Sequence, residues 1–465
     1  MYGNIFIRSL EANQIKKMIV YSLLYLITCG IIVSIFIFPL NPNDNFPVLR
    51  KIIIFFAAVL LTKYFIYMIL SPWNDVATAI KNKKDRHFNK FQYIYRPLVS
   101  VVIPAWNEEV GLLDAVKTVL KSNYSNVEVI VVNDGSTDNS HKIMLDYVNW
   151  YKEYNHSNYP INLKYYYKEN AGKGMALNYG IEKSVGKIII SIDADCTLTP
   201  DTIGNFVKYF RDPRVMAAVG NVKIGNTNTI LGTIQYLEFL FSFYFKKAES
   251  FLNTIYIIGG AAGAFRREVF DEVGFYNPLN ITEDIDLSVR IQDSGMTIVY
   301  ANDAVVYTEG ASTIEGLIKQ RLRWKCGRFQ TFKEHKHLFF STKNKHNKVL
   351  SWVILPLAVF GEIQLFLELY FVAFLFIYSY LTNDFSSFIS GIIVVSTMFF
   401  VQMSFEDSST RKFSFYILVP IGWLLFYVST FVEYNALIKS MWGGIRKQEV
   451  VWQKWKRKGI IDKTI

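Results

Sequence analysis

Long apolar segments near both ends of the chain constrain its fold more than any other feature of the sequence. Two such segments, at about residues 18–40 and 52–71, precede a central part of ordinary polarity, and three more follow at about 349–381, 388–403 and 413–432. A helix needs about 20 apolar residues to cross the hydrocarbon core of a bilayer. The sequence therefore predicts α-helical transmembrane segments on both sides of a central domain.

These segments also set the expected domain boundaries. Residues 1–72 would form an N-terminal transmembrane hairpin, residues 73–97 a cytosolic linker, residues 98–345 the central domain, and residues 346–465 a C-terminal membrane region with a basic tail. Basic residues lie on both outer flanks of the hairpin, at Lys16 and Lys17 and again within residues 81–86. Because Lys and Arg favour the cytosolic side of a membrane, the central domain is predicted to be cytosolic.

The side of the membrane on which the chain ends stays open. Three full spans after a cytosolic domain would place the C-terminus outside. The last stretch, residues 444–463, is nevertheless rich in Lys and Arg and carries Trp452 and Trp455, which suits a cytosolic membrane surface. Either one of the three apolar segments is re-entrant or interfacial, or the tail is external.

The formal net charge of +11 has a membrane-surface explanation. Basic residues cluster beside the apolar segments, where they attract anionic lipid. No nucleic-acid motif accompanies the charge, so a nucleic-acid partner is not predicted. The three cysteines are scattered without CxxC spacing, which argues against a disulfide framework or a zinc site. His335 and His337 lie in a basic stretch and are expected at a solvated or headgroup-facing surface.

Short β-rich runs alternate with amphipathic stretches through the central domain. Residues 98–104, 127–132 and 187–192 are predicted strands, with helices expected from about Glu108 and after Asp138. Alternating β and α units predict an α/β fold, with a mostly parallel sheet covered by helices. Ligands bind such sheets where loops leave the carboxyl ends of the strands.

Each of these three strands ends in an acidic or polar loop. The first loop contains Ala105 and Glu108, the second contains Asp134, and the third contains Asp193 and Asp195. One such loop alone is most simply a helix cap, because Asp and Asn accept the first helical N–H groups. Three loops at the same edge of one sheet instead favour a shared site.

The Asp193-Ala194-Asp195 sequence predicts a metal site. Two carboxylates close together in a crevice are costly unless a cation neutralises them. Mg²⁺ or Mn²⁺ commonly binds one or two carboxylates together with substrate phosphates. We expect Asp195 to be the direct metal ligand and Asp193 to lie nearer a nucleotide.

Three further motifs carry candidate residues that also have plain structural interpretations. Lys173 opens a helix after small residues and could contact phosphate, although a simple turn explains it equally well. Glu283 and Asp284 precede a helix at 285–292 and are either a helix cap or the position of a general base. Gln320, Arg323 and Trp324 share a helix next to a basic stretch, where a Trp/Arg pair is often interfacial.

Taken in order, these motifs resemble those of the processive family-2 glycosyltransferases, which have a GT-A (Rossmann-like) catalytic fold. The signatures are Pro-Ala-Trp-Asn-Glu from Pro104, Asn-Asp-Gly-Ser from Asn133, Asp-Ala-Asp, Thr-Glu-Asp and a Gln-x-x-Arg-Trp box ending at Trp324. Each motif alone is weak, whereas five in the same order are specific. With the flanking apolar segments, the resemblance extends over nearly the whole chain.

The resemblance implies a role for each candidate residue. Asp134 would contact the nucleobase, with Ala105 and Glu108 lining the same pocket, and Lys173 would help to bind the donor. Asp193 and Asp195 would serve the nucleotide and the Mg²⁺ or Mn²⁺ ion, and Asp284 would be the catalytic base. The diphosphate and the acceptor would be held by Gly260, Glu283, Gln320, Arg323 and Trp324. Reaction in this family inverts the anomeric carbon by one direct displacement.

Within the family, the chain looks most similar to poly-N-acetylglucosamine synthases of bacterial or archaeal cell membranes. Residues 259–267 resemble their small-residue strip facing the acceptor, and the N-terminal hairpin also agrees. Arg321 stands where hyaluronan and chitin synthases usually carry a second Gln, and Trp106 and the Lys-Cys-Gly at 325–327 are further departures. The implied partners are a UDP-sugar, a growing β-linked glycan that is exported, the lipid bilayer and, potentially, a small membrane subunit.

Three alternatives remain open from the sequence. A non-processive enzyme moving one sugar to a lipid carrier would share the aspartates without requiring the Gln-x-x-Arg-Trp box. A hyaluronan or other polysaccharide synthase would differ in its donor. A catalytically inactive membrane scaffold would share the fold, but intact Asp195, Asp284 and Arg323 argue against it.

Overall fold

The structure, a computed structural model, describes residues 15–16, 19–30, 47–88, 95–154, 161–406, 413–445, 457 and 459–460. Part of the first predicted apolar span, residues 41–46 of the loop after it and most of the basic tail lie outside these residues. The chain divides into two compact units. The first combines Met1–Gln92, Leu240–Leu252 and Val359–Tyr434, and the second combines Tyr93–Phe239, Asn253–Ala358 and Asn435–Ile465.

The described helices and strands are as follows. The strands are β1 (Val99–Ala105), β2 (Val127–Asp134), β3 (Asn162–Lys168), β4 (Ile188–Ser191), β5 (Cys196–Leu198), β6 (Val215–Ile224), β7 (Gly263–Arg266) and β8 (Thr297–Thr308). The helices are α1 (Ile19–Gly30), α2 (Pro47–Phe88), α3 (Leu112–Leu120), α4 (Ser140–Tyr154), α5 (Lys173–Glu182), α6 (Thr202–Tyr209), α7 (Ile230–Phe251), α8 (Arg267–Val273), α9 (Glu283–Asp293), α10 (Ile314–Glu334), α11 (Leu355–Thr382), α12 (Ser386–Ser404) and α13 (Gly422–Ile445). Shorter helical turns lie at Lys336–Leu338, Leu350–Ile354 and Phe413–Ile421.

One mixed sheet organises the second unit. Its strand order is β3-β2-β1-β4-β7-β6-β8-β5. β1 pairs in parallel with both β2 and β4, whereas β7 runs antiparallel to β4 and to β6. Every residue of β1, β2 and β4 is buried, which explains their nearly continuous apolar sequences. The predicted parallel arrangement is correct for the half of the sheet that contains the three acidic strand ends.

Helix α3 packs on the sheet through one face. Its buried residues Leu112, Ala115, Val116 and Val119 follow the three-to-four-residue spacing of an amphipathic helix. The helix begins at Leu112, four residues after the predicted start, although the Leu112 N–H already donates to the Glu108 carbonyl at 3.0 Å. Before it, Asn107 takes a left-handed backbone conformation with φ of 55°. Asn tolerates this conformation better than most residues. The polar residues 106–109 therefore stay in a loop above the sheet edge.

The first unit is built from the apolar helices. Tyr25, Ile53, Met68, Tyr244 and Leu375 belong to one buried cluster that joins α1, α2, α7 and α11. In the described residues, Leu350–Thr382 and Ser414–Trp442 are long and apolar enough to cross a membrane. The apolar helices Ile19–Gly30 and Phe388–Ser404 are shorter than this. By length and composition, two of the five predicted segments could therefore cross a membrane.

Candidate active site

The loops that follow β1 and β2 are tied together. The backbone N–H of Asn107 donates to Ser136 Oγ at 2.9 Å, and Asn107 Oδ1 accepts from the Thr137 N–H at 2.6 Å. The Glu108 N–H donates to Ser140 Oγ at 2.9 Å. Because β1 and β2 are adjacent parallel strands, their carboxyl ends lie side by side. The predicted convergence of these two polar loops is therefore present.

Asp134 is buried, and one lysine and two backbone N–H groups contact its carboxylate. Lys168 Nζ lies 2.6 Å from Oδ1, which also accepts from the Ala171 N–H at 3.0 Å. Oδ2 accepts from the Gly172 N–H at 2.8 Å. The carboxylate thus fixes the loop that leads into α5 and to Lys173. Its contact with a nucleobase stays a prediction.

Asp193 and Asp195 lie in the turn between β4 and β5, and each faces a different cation. Lys173 Nζ lies 2.5 Å from Asp193 Oδ1, and Arg457 Nη1 lies 2.7 Å from Asp195 Oδ2. The cost of placing two carboxylates in one turn is offset here by two separate ion pairs.

Lys173 connects this turn to the Thr-Glu-Asp segment. Its ammonium also lies 3.5 Å from Glu283 Oε1. Burial works to lower the pKa of Lys173, but the carboxylates of Asp193, Glu283 and Asp284 together raise it above its usual value. Lys173 therefore stays charged, and it holds three acidic residues from two distant parts of the sequence around one point.

Asp284 is oriented by backbone groups. Its Oδ2 accepts from the Gly260 N–H at 2.7 Å, and its Oδ1 accepts from the Ile285 N–H at 2.9 Å. A methyl group added at Gly260 would lie 2.6 Å from Lys173 Nζ, 3.5 Å from Asp284 Oδ2 and 3.6 Å from Asp193 Oδ1. The predicted residues Gly260, Lys173, Asp193 and Asp284 therefore meet at one place.

Glu283 lies beside Asp284 in the same site. Burial raises the pKa of the Glu283 carboxyl, and the Asp284 charge raises it further, whereas Lys173 and Arg323 work to lower it. Arg323 belongs to the Gln-x-x-Arg-Trp box, so one residue of this box acts electrostatically on Glu283 of the Thr-Glu-Asp segment. The two motifs are more than 30 residues apart in the sequence.

Helix α10 carries Gln320, Arg323 and Trp324 on one face, because residues three and four apart are neighbours on a helix. All three side chains are half-buried. The helix approaches the Thr-Glu-Asp segment through Gly327, where an added methyl group would lie 2.3 Å from Thr282 Oγ1. A glycine is required at this crossing, and this accounts for one of the residues by which the chain departs from the family motif.

Arg457 is a site residue that the sequence did not predict. Besides Asp195, its guanidinium contacts Glu108, with Nη2 3.3 Å from Oε1. Burial works to lower the pKa of Arg457, but Asp195, Glu108 and Glu309 together raise it. The basic tail was assigned to the membrane surface, and nothing in its spacing distinguishes this arginine from its neighbours. Ala105 is buried at the end of β1, and its contact with a nucleobase stays a prediction.

His335 does not have the solvated position expected from its basic surroundings. It is half-buried, with Nε2 2.9 Å from Asp286 Oδ1, and Asp286 Oδ2 also accepts from Arg290 Nε at 2.9 Å. Asp286, Glu334 and His335 have ligand atoms within 4.8 Å of one another. This group is separate from the predicted metal ligand Asp195, and the charge of Asp286 is already balanced by Arg290. The partner on α9 explains why a histidine is buried here.

The sheet and the acidic strand ends define an α/β protein with the GT-A fold of nucleotide-sugar glycosyltransferases. The family model for glycosyl transferase family 2 matches residues 100–274, and that for glycosyl transferase family group 2 matches residues 188–427, which is over half of the chain. This protein belongs to glycosyl transferase family group 2 and is a glycosyltransferase.

Curated relatives and a solved structure agree with this assignment. The chain is 27% identical over 354 residues to a poly-β-1,6-N-acetyl-D-glucosamine synthase of Staphylococcus epidermidis, covering 74% of this chain and 82% of that protein. It is 28% identical over 270 residues to the synthase of the same name from Staphylococcus aureus, covering 58% and 61%. A mannosyltransferase of Pyrobaculum calidifontis, solved in complex with GDP-Man and Mn²⁺, matches with a TM-score of 0.50 and 18% identity, covering 83% of this chain and 99% of that one. This last likeness shows the fold.

Proposed function

We propose that the protein is an inverting N-acetylglucosaminyltransferase that polymerises sugar from UDP-N-acetylglucosamine into a β-linked polysaccharide. The names of the staphylococcal relatives support this product, and the donor comes from the family resemblance. The observation that carries the proposal is the meeting of Asp193, Lys173 and Asp284 around the backbone of Gly260. It brings one predicted donor aspartate, Asp193, and the predicted base into one site.

Asp284 is the proposed general base. In the reaction, the acceptor hydroxyl oxygen bonds to the anomeric carbon while the bond from that carbon to the diphosphate oxygen breaks. The hydroxyl proton passes to the Asp284 carboxylate, and general-base catalysis of this kind typically contributes 10²–10⁴-fold. The Gly260 and Ile285 N–H groups hold the carboxylate in a fixed orientation, so little reorganisation is needed when the proton arrives.

A divalent cation fits the turn that holds Asp193 and Asp195. Both side chains offer carboxylate oxygens, which together with a diphosphate are the ligands that Mg²⁺ and Mn²⁺ prefer. In the structure a cation, the guanidinium of Arg457, already lies against Asp195, and the metal ion would take its place. When bound, the ion would stabilise the leaving diphosphate as a Lewis acid. Asp195 would be its protein ligand, and Lys173 and Arg323 would add positive charge near the leaving group.

The membrane assignment is part of the same proposal. The two long apolar helices support an integral membrane protein. We place the proposed catalytic domain, residues 98–345, on the cytosolic side, with residues 73–97 linking it to the N-terminal hairpin of residues 1–72 and with residues 346–465 as the C-terminal membrane region. Processive synthesis coupled to export follows from the family resemblance, and Gln320, Arg323 and Trp324 would hold the acceptor end. A small partner subunit stays a prediction.

The test uses purified full-length protein in detergent with Mg²⁺ or Mn²⁺. UDP-N-acetylglucosamine, UDP-glucose and UDP-glucuronate are offered separately, and both donor consumption and product size are measured. We expect a long polymer from UDP-N-acetylglucosamine alone, lost on addition of EDTA and restored by excess Mn²⁺. A single addition to lipid would establish the non-processive alternative, and polymer from another donor would overturn the proposed sugar.

A further inference from the structure

Arg457 contacts two of the residues predicted to bind the donor and the metal. Its Nη1 lies 2.7 Å from Asp195 Oδ2 and its Nη2 lies 3.3 Å from Glu108 Oε1. The arginine side chain is only 10% exposed, and each carboxylate side chain is 8% exposed. The guanidinium thus bridges the loop after β1 and the turn after β4, at the position where a cation is expected.

Two neighbours in the chain fix this arginine to the same unit. The Gly459 N–H donates to Glu309 Oε2 at 3.1 Å, immediately after β8. Ile460 packs on Gly225, immediately after β6, so closely that a methyl group at Gly225 would lie 2.7 Å from Ile460 Cγ2. We name Arg457, Gly459 and Ile460 the tail contact. It has a polar and an apolar anchor besides the arginine itself.

The tail contact and a divalent cation would both use the carboxylate of Asp195. A Mg²⁺ ion sits about 2.0–2.1 Å from its carboxylate oxygens. The guanidinium nitrogen is already at hydrogen-bonding distance from Oδ2, and two cations on one oxygen would repel each other strongly in a buried site. Glu108 and Glu309 add negative charge that favours keeping one cation here.

We infer that Arg457 competes with the divalent cation for Asp195, so that the metal with its diphosphate and the tail contact are mutually exclusive at this carboxylate. Donor binding then requires Arg457 to leave Asp195, and by linkage the bound metal weakens the tail contact. The inference rests on the proposed function in placing the metal and the donor at Asp195.

The test measures Mn²⁺ binding to the full-length protein in detergent, with and without UDP, from the electron paramagnetic resonance signal of free Mn²⁺. We expect Arg457→Gln to tighten Mn²⁺ binding about tenfold, which is an ordinary size for coupling between two sites. Ile460→Ser, which loosens the tail contact without changing any charge, is expected to shift the Kd in the same direction. Asp195→Asn should abolish this binding.

Arg214→Gln is the matched control. It also removes one positive charge from the second unit, but Arg214 is exposed and pairs with Asp212 on a surface loop. Its Mn²⁺ affinity should equal that of the unaltered protein. Weaker or unchanged Mn²⁺ binding in Arg457→Gln would overturn the inference, as would a failure of Mn²⁺ to bind any variant in the presence of UDP.

The two proposals fail in different ways. Mn²⁺ binding is measured without sugar transfer, so the Kd and the turnover are independent measurements. If Arg457→Gln tightens Mn²⁺ binding while no donor is consumed, the inference holds and the proposed reaction is wrong. If polymer forms but Arg457→Gln and the unaltered protein bind Mn²⁺ with the same Kd, the proposed reaction holds and the competition is wrong.

Discussion

The backbone N–H of Gly260 donates a hydrogen bond of 2.7 Å to the Asp284 carboxylate, across a separation of 24 residues in the sequence. Gly260 lies in the small-residue strip before β7, and Asp284 lies in the first turn of α9. This bond orients the proposed base relative to Lys173 and Asp193, which lie within 4 Å of the same Cβ position of that glycine.

The first prediction concerns the base itself. Asp284→Asn keeps the size of the side chain and can still accept one of the two backbone hydrogen bonds, but it cannot take up a proton at neutral pH. We expect kcat to fall by about 10²–10⁴-fold, with donor binding changed by less than about twofold. Single-turnover transfer and equilibrium binding of UDP-N-acetylglucosamine measure the two quantities. Retained transfer would assign the base to another residue.

A second prediction compares two adjacent glycines. In Gly260→Ala the new methyl group would meet Lys173 Nζ at 2.6 Å and press on Asp284, whereas a methyl group at Gly259 has no atom of the described residues within 4 Å. Because a small displacement of reacting groups is costly, we expect kcat to fall at least about tenfold in Gly260→Ala. Gly259→Ala should stay within about twofold. An equal fall in kcat in both variants would mean that the small-residue strip acts through its general flexibility and not through the contact at Gly260.

The strand ends were predictable because their pattern is local. Buried runs such as 98–104 and 127–132 end in acidic loops, and parallel pairing of neighbouring strands brings these loops to one edge. The meeting of Asp193 with the segment of Asp284 does not follow from this rule, because Asp284 lies on α9, and it was expected only from the family resemblance. The family motifs supplied the order in which these residues occur.

Long-range pairing between single residues was not predictable. Arg457 reaches Asp195 across more than 260 residues, and the pairing of His335 with Asp286 and the hold of Lys168 on Asp134 depend on how the chain packs. In each case a basic side chain is at least partly buried beside one or more carboxylates. No periodicity or spacing in the sequence marks such a residue in advance.

A third prediction concerns a buried carboxylate beneath the site. Glu128 on β2 accepts from Ser100 Oγ at 2.6 Å and from the Val185 N–H at 2.7 Å, and it pairs with Lys164 Nζ at 2.8 Å. Burial works to raise the pKa of Glu128, but these three partners lower it below its usual value. The stabilisation is therefore full above the unfolded pKa of about 4.3 and is lost as the pH falls through the lower folded pKa.

Removal of the Glu128 charge should reveal how its contribution to stability depends on pH. We expect Glu128→Gln to cost about 1–3 kcal/mol at pH 7, because its buried partners lose a charged acceptor. Thermal unfolding in detergent between pH 7 and pH 3 is the measurement. The midpoints of the variant and of the unaltered protein should converge on acidification. Glu153→Gln on the exposed face of α4 serves as the control, and a gap that persists at pH 3 would contradict the assignment.

The last prediction concerns Arg321, inside the Gln-x-x-Arg-Trp box. It is almost fully buried, pairs with Glu238 on α7 at 2.8 Å, and places its guanidinium 4.2 Å from the centre of the Trp324 ring. Such a cation–π contact is worth roughly 0.5–2 kcal/mol, and it holds the indole in one orientation. Arg321→Lys keeps a charge for Glu238 but loses the planar group that stacks on the ring.

Arg321→Lys is therefore expected to act on the acceptor side of the reaction. We expect shorter polymer and an acceptor KM raised by roughly threefold to tenfold, the equivalent of about 1 kcal/mol, with the donor KM unchanged. Trp324→Ala should shift the same quantities further in the same direction. Lys319→Gln, which breaks an exposed pair with Glu315 on the same helix, should have little effect, because surface ion pairs contribute little. An equal rise in the donor KM would mean that Arg321 supports the whole site through packing, with no specific action on Trp324.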